Sequence, residues 1–423
     1  MTYEIISRTL HFREPAGTSR GTYLTRKVWY VFLREGDNKE GSNKEDHSSN
    51  GESHYWEGDS KEGSNGESPY GESCHKENHN RERYNREGVG ECAPLPRLSC
   101  DDLPDYEERL HGFCRQVCET GSIDYDALRP YPSMLFGLEC AMLMLRRGSR
   151  ILFQTPFTQG GVRIPINGLV WMGTFEEMRR RMEEKVSAGF RCIKIKIGAI
   201  DWAQELELLR ALSVEFSCGG RREGICGGRR EGKYGGKCEG EGERNCGGKC
   251  EGKVESVRVD ANGAFSVSEA PARLQQLAAL GIHSIEQPIR AGQWREMAHL
   301  CQSSPLPIAL DEELIGVNAP ERKALLLDTI RPQYIVLKPS LHGGLRGCDE
   351  WVRLATQRGI GWWVTSALES NVGLSAIAQW VSQYRPETAQ GLGTGLLYTD
   401  NTEAETEVRG DELRFRLSRT TTP

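Results

Sequence analysis

The chain has 423 residues, 37% of them hydrophobic, and a formal net charge of −6. The apolar share is below the roughly 45–50% of ordinary globular domains. Outside two polar tracts, residues 35–87 and 218–253, 334 residues remain with a net charge of −2. That is ample for a core, so disorder throughout is excluded, and no charge excess points to nucleic acid or an anionic membrane as partner.

The N-terminus, MTYEIISRTLHF, alternates like a strand and has no signal-peptide pattern, so a cytoplasmic protein with mostly reduced cysteines is expected. Residues 3–12 and 23–33 read as two strands joined by a polar loop, PAGTSRG (15–21). The first tract follows. Its 53 residues hold no Ala, Val, Ile, Leu, Met or Phe and carry 14 acidic against 7 basic side chains. It interrupts a hairpin whose return strand is expected at 88–93. Helical periodicity then runs over 100–119 and 133–147. The apolar stretch at 134–145 is broken by Glu139 and too short to span a bilayer. Residues 1–155 thus read as an α+β unit.

From residue 164 the pattern changes. Strands are expected at 192–197, 256–260, 284–287, 308–311, 334–338 and 361–366, with helices such as 175–188, 268–280 and 344–358 between them. Alternating β and α elements imply a parallel sheet with crossover helices. The second tract, 36 residues with 13 Gly, 5 Cys and one aliphatic (Ile225), falls before the strand at 256. Its GGRREG and GGKCEG repeats have no apolar face to stack, so both tracts read as disordered low-complexity loops. Unit spacing is regular: Asp260 to Glu286 is 26 residues, to Asp311 another 25, to Lys338 another 27. Six or more such units favour a closed (β/α)8 barrel over an open sheet, spanning 156–393, with 394–423 returning to the first unit.

Five charged residues end apolar runs at matching places: Lys196, Asp260, Glu286, Asp311 and Lys338. In a parallel barrel the strand C-termini open on one face. Three carboxylates converging there repel unless neutralised, and a hard divalent cation such as Mg²⁺ is the natural partner, with Mn²⁺ as a substitute. Glu312 and Glu313 follow Asp311, which is preferred because it ends the run. Lys194 and Lys196, two apart on one strand, face the same way. Beside each other and a metal their pKa values are expected to fall, so a neutral Lys196 could be a general base on a carbon acid. Lys338 comes from the opposite side of the ring. The alternative for each residue alone is a surface ion pair at a strand end.

The ordered set KIK, VDAN, IEQP, ALDE and LKPS resembles the enolase superfamily, in the two-lysine branch that includes muconate-lactonizing enzymes. PAGTSRG, GECAPLPRLS, FGLECA, IPINGLVWMG, TSALESNVGL and GLGTGLLYTDN resemble the o-succinylbenzoate synthase family, and the likeness covers nearly all of the chain outside the tracts. The resemblance implies an α+β capping domain on a modified TIM barrel. The activity it implies is syn-dehydration of SHCHC (2-succinyl-6-hydroxy-2,4-cyclohexadiene-1-carboxylate) to o-succinylbenzoate, in menaquinone or phylloquinone synthesis. It also implies Asp260, Glu286 and Asp311 as Mg²⁺ ligands, Lys196 as base and then acid, Lys338 opposite the dienolate, and Lys194 assisting Lys196.

Substrate contacts are expected from Asn262, Ser366, Gly393 and, in the loop closing over the mouth, Arg20. A solvated arginine and a plain turn are the competing readings of Arg20 and Gly393. Gly391 could admit close backbone approach, Glu369 could be structural, and His342 lies near the mouth. Two other functions are open: an N-acylamino acid racemase or dipeptide epimerase of the same superfamily, and a non-catalytic barrel whose tracts bind a partner or soft metal.

Overall fold

The structure, a computed structural model, describes residues 1–18, 21–35, 86–217 and 254–416, the side chains of 18 and 213–217 excepted. Arg20 and nearly all of both polar tracts lie outside the described residues. Among the described residues no helix is long and apolar enough to cross a membrane.

The cap begins with an antiparallel sheet of β1 (Thr2–Thr18), β2 (Gly21–Arg34) and β3 (Glu87–Cys92) in that order. The stretch 15–21, expected as a loop, is mostly strand. Ala16, Gly17 and Thr18 pair with Tyr23, Thr22 and Gly21 beyond a register shift between His11 and Ala16. Pro15, which has no N–H for a ladder, sits inside that irregular stretch. Then come α1 (Tyr106–Thr120), α2 (Tyr125–Leu128) and α3 (Pro132–Arg147). Trp29, Val31 and Leu33 on one sheet face pack against α1 and α3, while Leu10, Val28 and Tyr30 on the other pack against Tyr398.

α3 lies hard against β3. A Cβ at Gly90 would sit 1.8 Å from the Gly137 carbonyl oxygen, and one at Gly88 would sit 1.9 Å from that of Ala141. Backbone cannot yield as a side-chain tip can. Gly90→Ala is therefore expected to cost at least about 3 kcal/mol, read from the denaturant midpoint. A loss below about 1 kcal/mol would mean that helix and strand part easily.

The larger unit runs β4 (Ile164–Pro165), β5 (Gly168–Val170), α4 (Phe175–Ser187), β6 (Cys192–Lys196), α5 (Trp202–Ser217), β7 (Ser256–Asp260), α6 (Ala270–Ala279), β8 (Ser284–Glu286), α7 (Trp294–Ser303), β9 (Ile308–Leu310), α8 (Pro320–Ile330), β10 (Tyr334–Leu337), α9 (Gly344–Thr356), β11 (Gly361–Val364) and α10 (Asn371–Ser382). Local chemistry starts the helices: Thr174 and Glu177 form a capping box on α4, and Pro lies in the first turn of α6 and α8. Strands β5 to β11 form one parallel sheet in chain order. Ile193, Ile195, Val257, Val259, Ile285, Ile308, Ile335 and Leu337 lie in its core.

The sheet closes through Gln390 and Gly391. Gln390 N donates to Pro165 O (2.8 Å) and Gly391 N to Val364 O (2.8 Å). In return Asn167 N donates to Gln390 O (3.0 Å) and Ser366 N to Gly391 O (3.2 Å). Both edges of the curled sheet thus bond to the same two residues, which complete the ring. The second tract falls in the chain between α5 and β7, and Asp260 lies at the opposite, C-terminal end of β7.

The C-terminal chain differs from a simple return to the cap. It meets β1 where Arg13 N donates to Leu397 O (2.8 Å) and Phe12 bridges Tyr398. Its hairpin, β12 (Thr406–Arg409) and β13 (Glu412–Phe415), then pairs with β4 instead.

Glu139 of α3 crosses from cap to barrel. Fully buried, it accepts hydrogen bonds from the backbone N–H of Leu345 (2.5 Å) and Arg346 (3.1 Å) at the start of α9. Burial pushes its carboxyl up from the ordinary 4.5 to about 8. Between those values the folded chain keeps a proton that the unfolded chain has lost, so this group's contribution to stability falls as pH rises through the window. Glu139→Gln keeps an acceptor and removes the titration. Wild type minus variant stability should therefore decline between pH 5 and pH 9, and parallel curves would refute the assignment.

Candidate active site

Side chains alternate along β6, so Lys194 and Lys196 emerge together on the face opposite to Ile193 and Ile195. Each is only 8% exposed. Asp260 ends β7, Glu286 ends β8, and Asp311 follows β9; all three are buried. Their carboxylate oxygens lie within 4.8 Å of one another, a grouping able to hold a metal ion. β6 and β10 stand on either side of β7, β8 and β9. The amines of Lys196 and Lys338 therefore flank the triad from opposite sides.

The contacts follow from that order. Lys196 Nζ donates to Asp260 Oδ2 (3.0 Å) and Asn262 Oδ1 (2.7 Å). Lys194 Nζ reaches Asp260 Oδ2 (3.0 Å) and Glu286 Oε2. Lys338 Nζ donates to Asp311 Oδ1 (2.7 Å). The fall in pKa expected for Lys194 is reversed, and Lys338 is raised as well. Burial opposes the charged amines of Lys194 and Lys338, but the facing carboxylates outweigh it and hold both above the ordinary range. The spacing that placed the lysines side by side could not show that each amine touches a carboxylate. Burial likewise opposes the charge on Asp260, yet Lys194, Lys196 and Lys338 hold it well below the usual carboxylate range. Burial and the neighbouring Asp260 and Asp311 raise Glu286, although Lys194 pulls the other way.

The other expected site residues divide. β7 stops at Asp260, and Asn262 sits at φ +44° rather than on a continued strand. Its side chain still enters the site, bonded to Lys196 and donating Nδ2–H to Glu312 Oε1 (2.9 Å). Ser366 and Gly393 line the same cavity of about 490 Å³ as Lys194, Lys196, Asp260 and Lys338. The Ser366 hydroxyl is hydrogen-bonded to Thr394 Oγ1 (2.6 Å).

Gly391 serves closure, since a Cβ there would meet Thr365 Oγ1 at 2.3 Å. Glu369 ties two loops together, accepting from Ser340 Oγ and from Ala367 N (2.7 Å). Buried His342 accepts from the Lys338 backbone N–H through Nδ1 (3.0 Å) and is not among the cavity-lining residues. Arg20 lies outside the described residues, but the hairpin that carries it brings Ala16 into the cavity wall.

Two site residues carry no distinguishing mark in the sequence. Trp171 lines the cavity with its ring centroid 5.8 Å from Lys196 Nζ. Its stretch IPINGLVWMG stood out, but no local signal marked the indole. The sequence marks Glu312 only as the neighbour of Asp311, whereas it holds Asn262, and burial together with Asp311 pushes its carboxyl up to about 7.

Carboxylates at three successive strand ends, amines on both sides and an α+β cap over the mouth define an enolase-type α/β enzyme. Residues 249–421 match the family described as Enolase C-terminal domain-like, and residues 80–145 match MenC, N-terminal domain. The o-succinylbenzoate synthase of Desulfotalea psychrophila (strain LSv54 / DSM 12343) is 40% identical over 436 residues, 96% of each chain. The chain belongs to the o-succinylbenzoate synthase family. The crystal structure of MenC from Desulfotalea psychrophila LSv54 superposes with a TM-score of 0.66 at 33% identity, covering 97% of this chain and 99% of that one. The L-Ala-D/L-Glu epimerase from Bacillus subtilis reaches the same TM-score, 0.66, at 17% identity over 98% and 96% of the two chains, which is a likeness of fold alone.

Proposed function

We propose that the chain is an o-succinylbenzoate synthase, dehydrating SHCHC with the help of a divalent cation. The observation that carries this reading is the pair of amines, Lys196 and Lys338, on opposite sides of a buried carboxylate triad, with both amines and Asp260 of the triad lining one cavity. The triad fits a hard cation: all donors are oxygen, and Glu286 Oε1 is buried with no hydrogen-bond partner. We assign Asp260, Glu286 and Asp311 as its ligands and Mg²⁺ as its identity, with Mn²⁺ as a substitute. Bound there, the cation supplies stabilisation of negative charge that develops on the substrate carboxylate.

The chain's own residues do the rest. Lys196, neutral in its reactive form, removes the proton α to the carboxylate and returns it to the departing hydroxyl. Asn262 orients that amine through its 2.7 Å contact. Lys338 faces the other side of the ring and stabilises the delocalised anion. Lys194 places a fixed positive charge beside Lys196. Trp171, Leu95, Leu98 and Leu368 make the cavity wall apolar and help exclude water. Arg20 is assigned to the succinyl carboxylate, and Ser366 and Gly393, which line the cavity, to substrate contact.

Purified chain with Mg²⁺ is expected to convert SHCHC to an aromatic product, followed by its absorbance. An amine on each side would also serve α-proton exchange in an N-acylamino acid. Exchange of N-succinyl amino acids in D₂O without SHCHC turnover would replace the dehydratase reading with a racemase.

A further inference from the structure

Buried charges of the cap hold the loop that follows β11. Glu91 of β3 is 1% exposed and directs both carboxylate oxygens out of the cap. Oε1 accepts from the backbone N–H of Ser370 (2.9 Å). Oε2 accepts from Ser370 Oγ (2.6 Å) and from Gly373 N (2.9 Å) in the first turn of α10. Arg26 of β2, 2% exposed, donates to the carbonyl oxygens of Ala93 in the cap and Ala367 in the loop. Tyr398 donates its hydroxyl to Leu368 O (2.6 Å).

This loop has something to be held for. Leu368 sits at φ +64°, where side chains other than glycine are uncommon, so its surroundings must impose the shape. Ser366, Ala367 and Leu368 all line the catalytic cavity, whereas Glu91 and Arg26 do not. A carboxylate and a guanidinium buried this deeply are tolerable only when hydrogen-bonded, and here the carboxylate's bonds and one of the guanidinium's run to the barrel, the other guanidinium bond staying in the cap at Ala93. The cap therefore shapes a wall of the site as well as covering it.

We infer that Glu91 and Arg26 are positioning residues, through which the cap presents Ser366, Ala367 and Leu368 to the substrate. This rests on the reading of the cavity as the dehydration site. Neither residue touches reacting atoms. The loop is a wall that meets substrate and transition state alike, so its loss shows in KM rather than kcat.

The test uses the full chain and three variants: Glu91→Gln, which turns an N–H toward the Gly373 N–H, the milder Ser370→Ala, and both together. Glu91→Gln is expected to raise KM about tenfold while kcat stays within about threefold. Amide exchange at Ser370 and Gly373 is expected to accelerate at least about tenfold, with Val259 and Ile335 in the barrel strands unchanged. Ser370→Ala is expected to act in the same direction, and the double variant to add less than the two single effects combined. An unchanged KM in folded variants, or exchange that accelerates across the barrel as a whole, would overturn the inference and leave a purely structural tie. Should the wild-type chain fail to turn over SHCHC, the functional reading falls, and the exchange pattern still decides whether Glu91 holds this loop.

Discussion

Lys196→Ala is expected to lower kcat for SHCHC dehydration by about 10²–10⁴-fold, the range a positioned general base and acid contributes. The amine stands at one side of the triad, held by Asp260 and Asn262, with Trp171 against it. Among the described residues no other amine occupies its place: Lys194 points to Asp260 and Glu286, and Lys338 works from the far side. Truncation leaves a space that water can enter, but water is a much weaker base than a neutral amine. Lys196→Arg is expected to be nearly as inactive, because a guanidinium stays protonated and cannot accept the proton. Initial rates at saturating substrate and Mg²⁺ decide this, and a loss smaller than tenfold for Lys196→Ala would remove Lys196 from the proposed role.

Asp260→Asn is expected to abolish the response to metal. A ligand that binds only the folded state adds about 2.7 kcal/mol of stability at a hundredfold excess over its Kd. Mg²⁺ should therefore raise the unfolding midpoint of the wild-type chain and leave that of the variant unmoved. Asp260 Oδ2 also receives the amines of both Lys194 and Lys196. Losing its charge leaves two buried ammonium groups short of a partner, so the variant without metal should be less stable by about 3–5 kcal/mol. Denaturation with and without Mg²⁺, alongside calorimetric titration, separates the two effects. A midpoint shift with Mg²⁺ that survives in Asp260→Asn would place the ion elsewhere.

Much of this protein was legible before any coordinates. A strand alternates its side chains with period two and a helix with period 3.6, so each segment announces its own type and its buried face. The expected strands at 256–260 and 334–338 and the expected helices at 175–188 and 344–358 lie within two residues of β7, β10, α4 and α9. Regular β/α spacing also set Asp260, Glu286, Asp311 and Lys338 at equivalent strand ends, and so on one face. Where expectation and structure part, a local cue was too weak or pointed elsewhere. The polar stretch 15–21 reads as a loop, but the ladder resumes beyond the register shift and makes residues 16–18 strand.

Contacts between distant segments belong to the tertiary structure. Nothing in Gln390 or Gly391 marks them as the pair that joins both sheet edges, because that depends on how far the sheet curls. The amine–carboxylate pairings, which hold Lys194 and Lys338 charged rather than neutral, depend on side chains of different strands meeting at the mouth. Glu91 and Ser370 lie 279 residues apart, and their bond exists only because cap and barrel are docked. Side-chain direction is a property of a few neighbouring dihedrals and can be read locally. Which group that side chain meets is a property of the packed whole, set when elements far apart in the chain bury their apolar faces together.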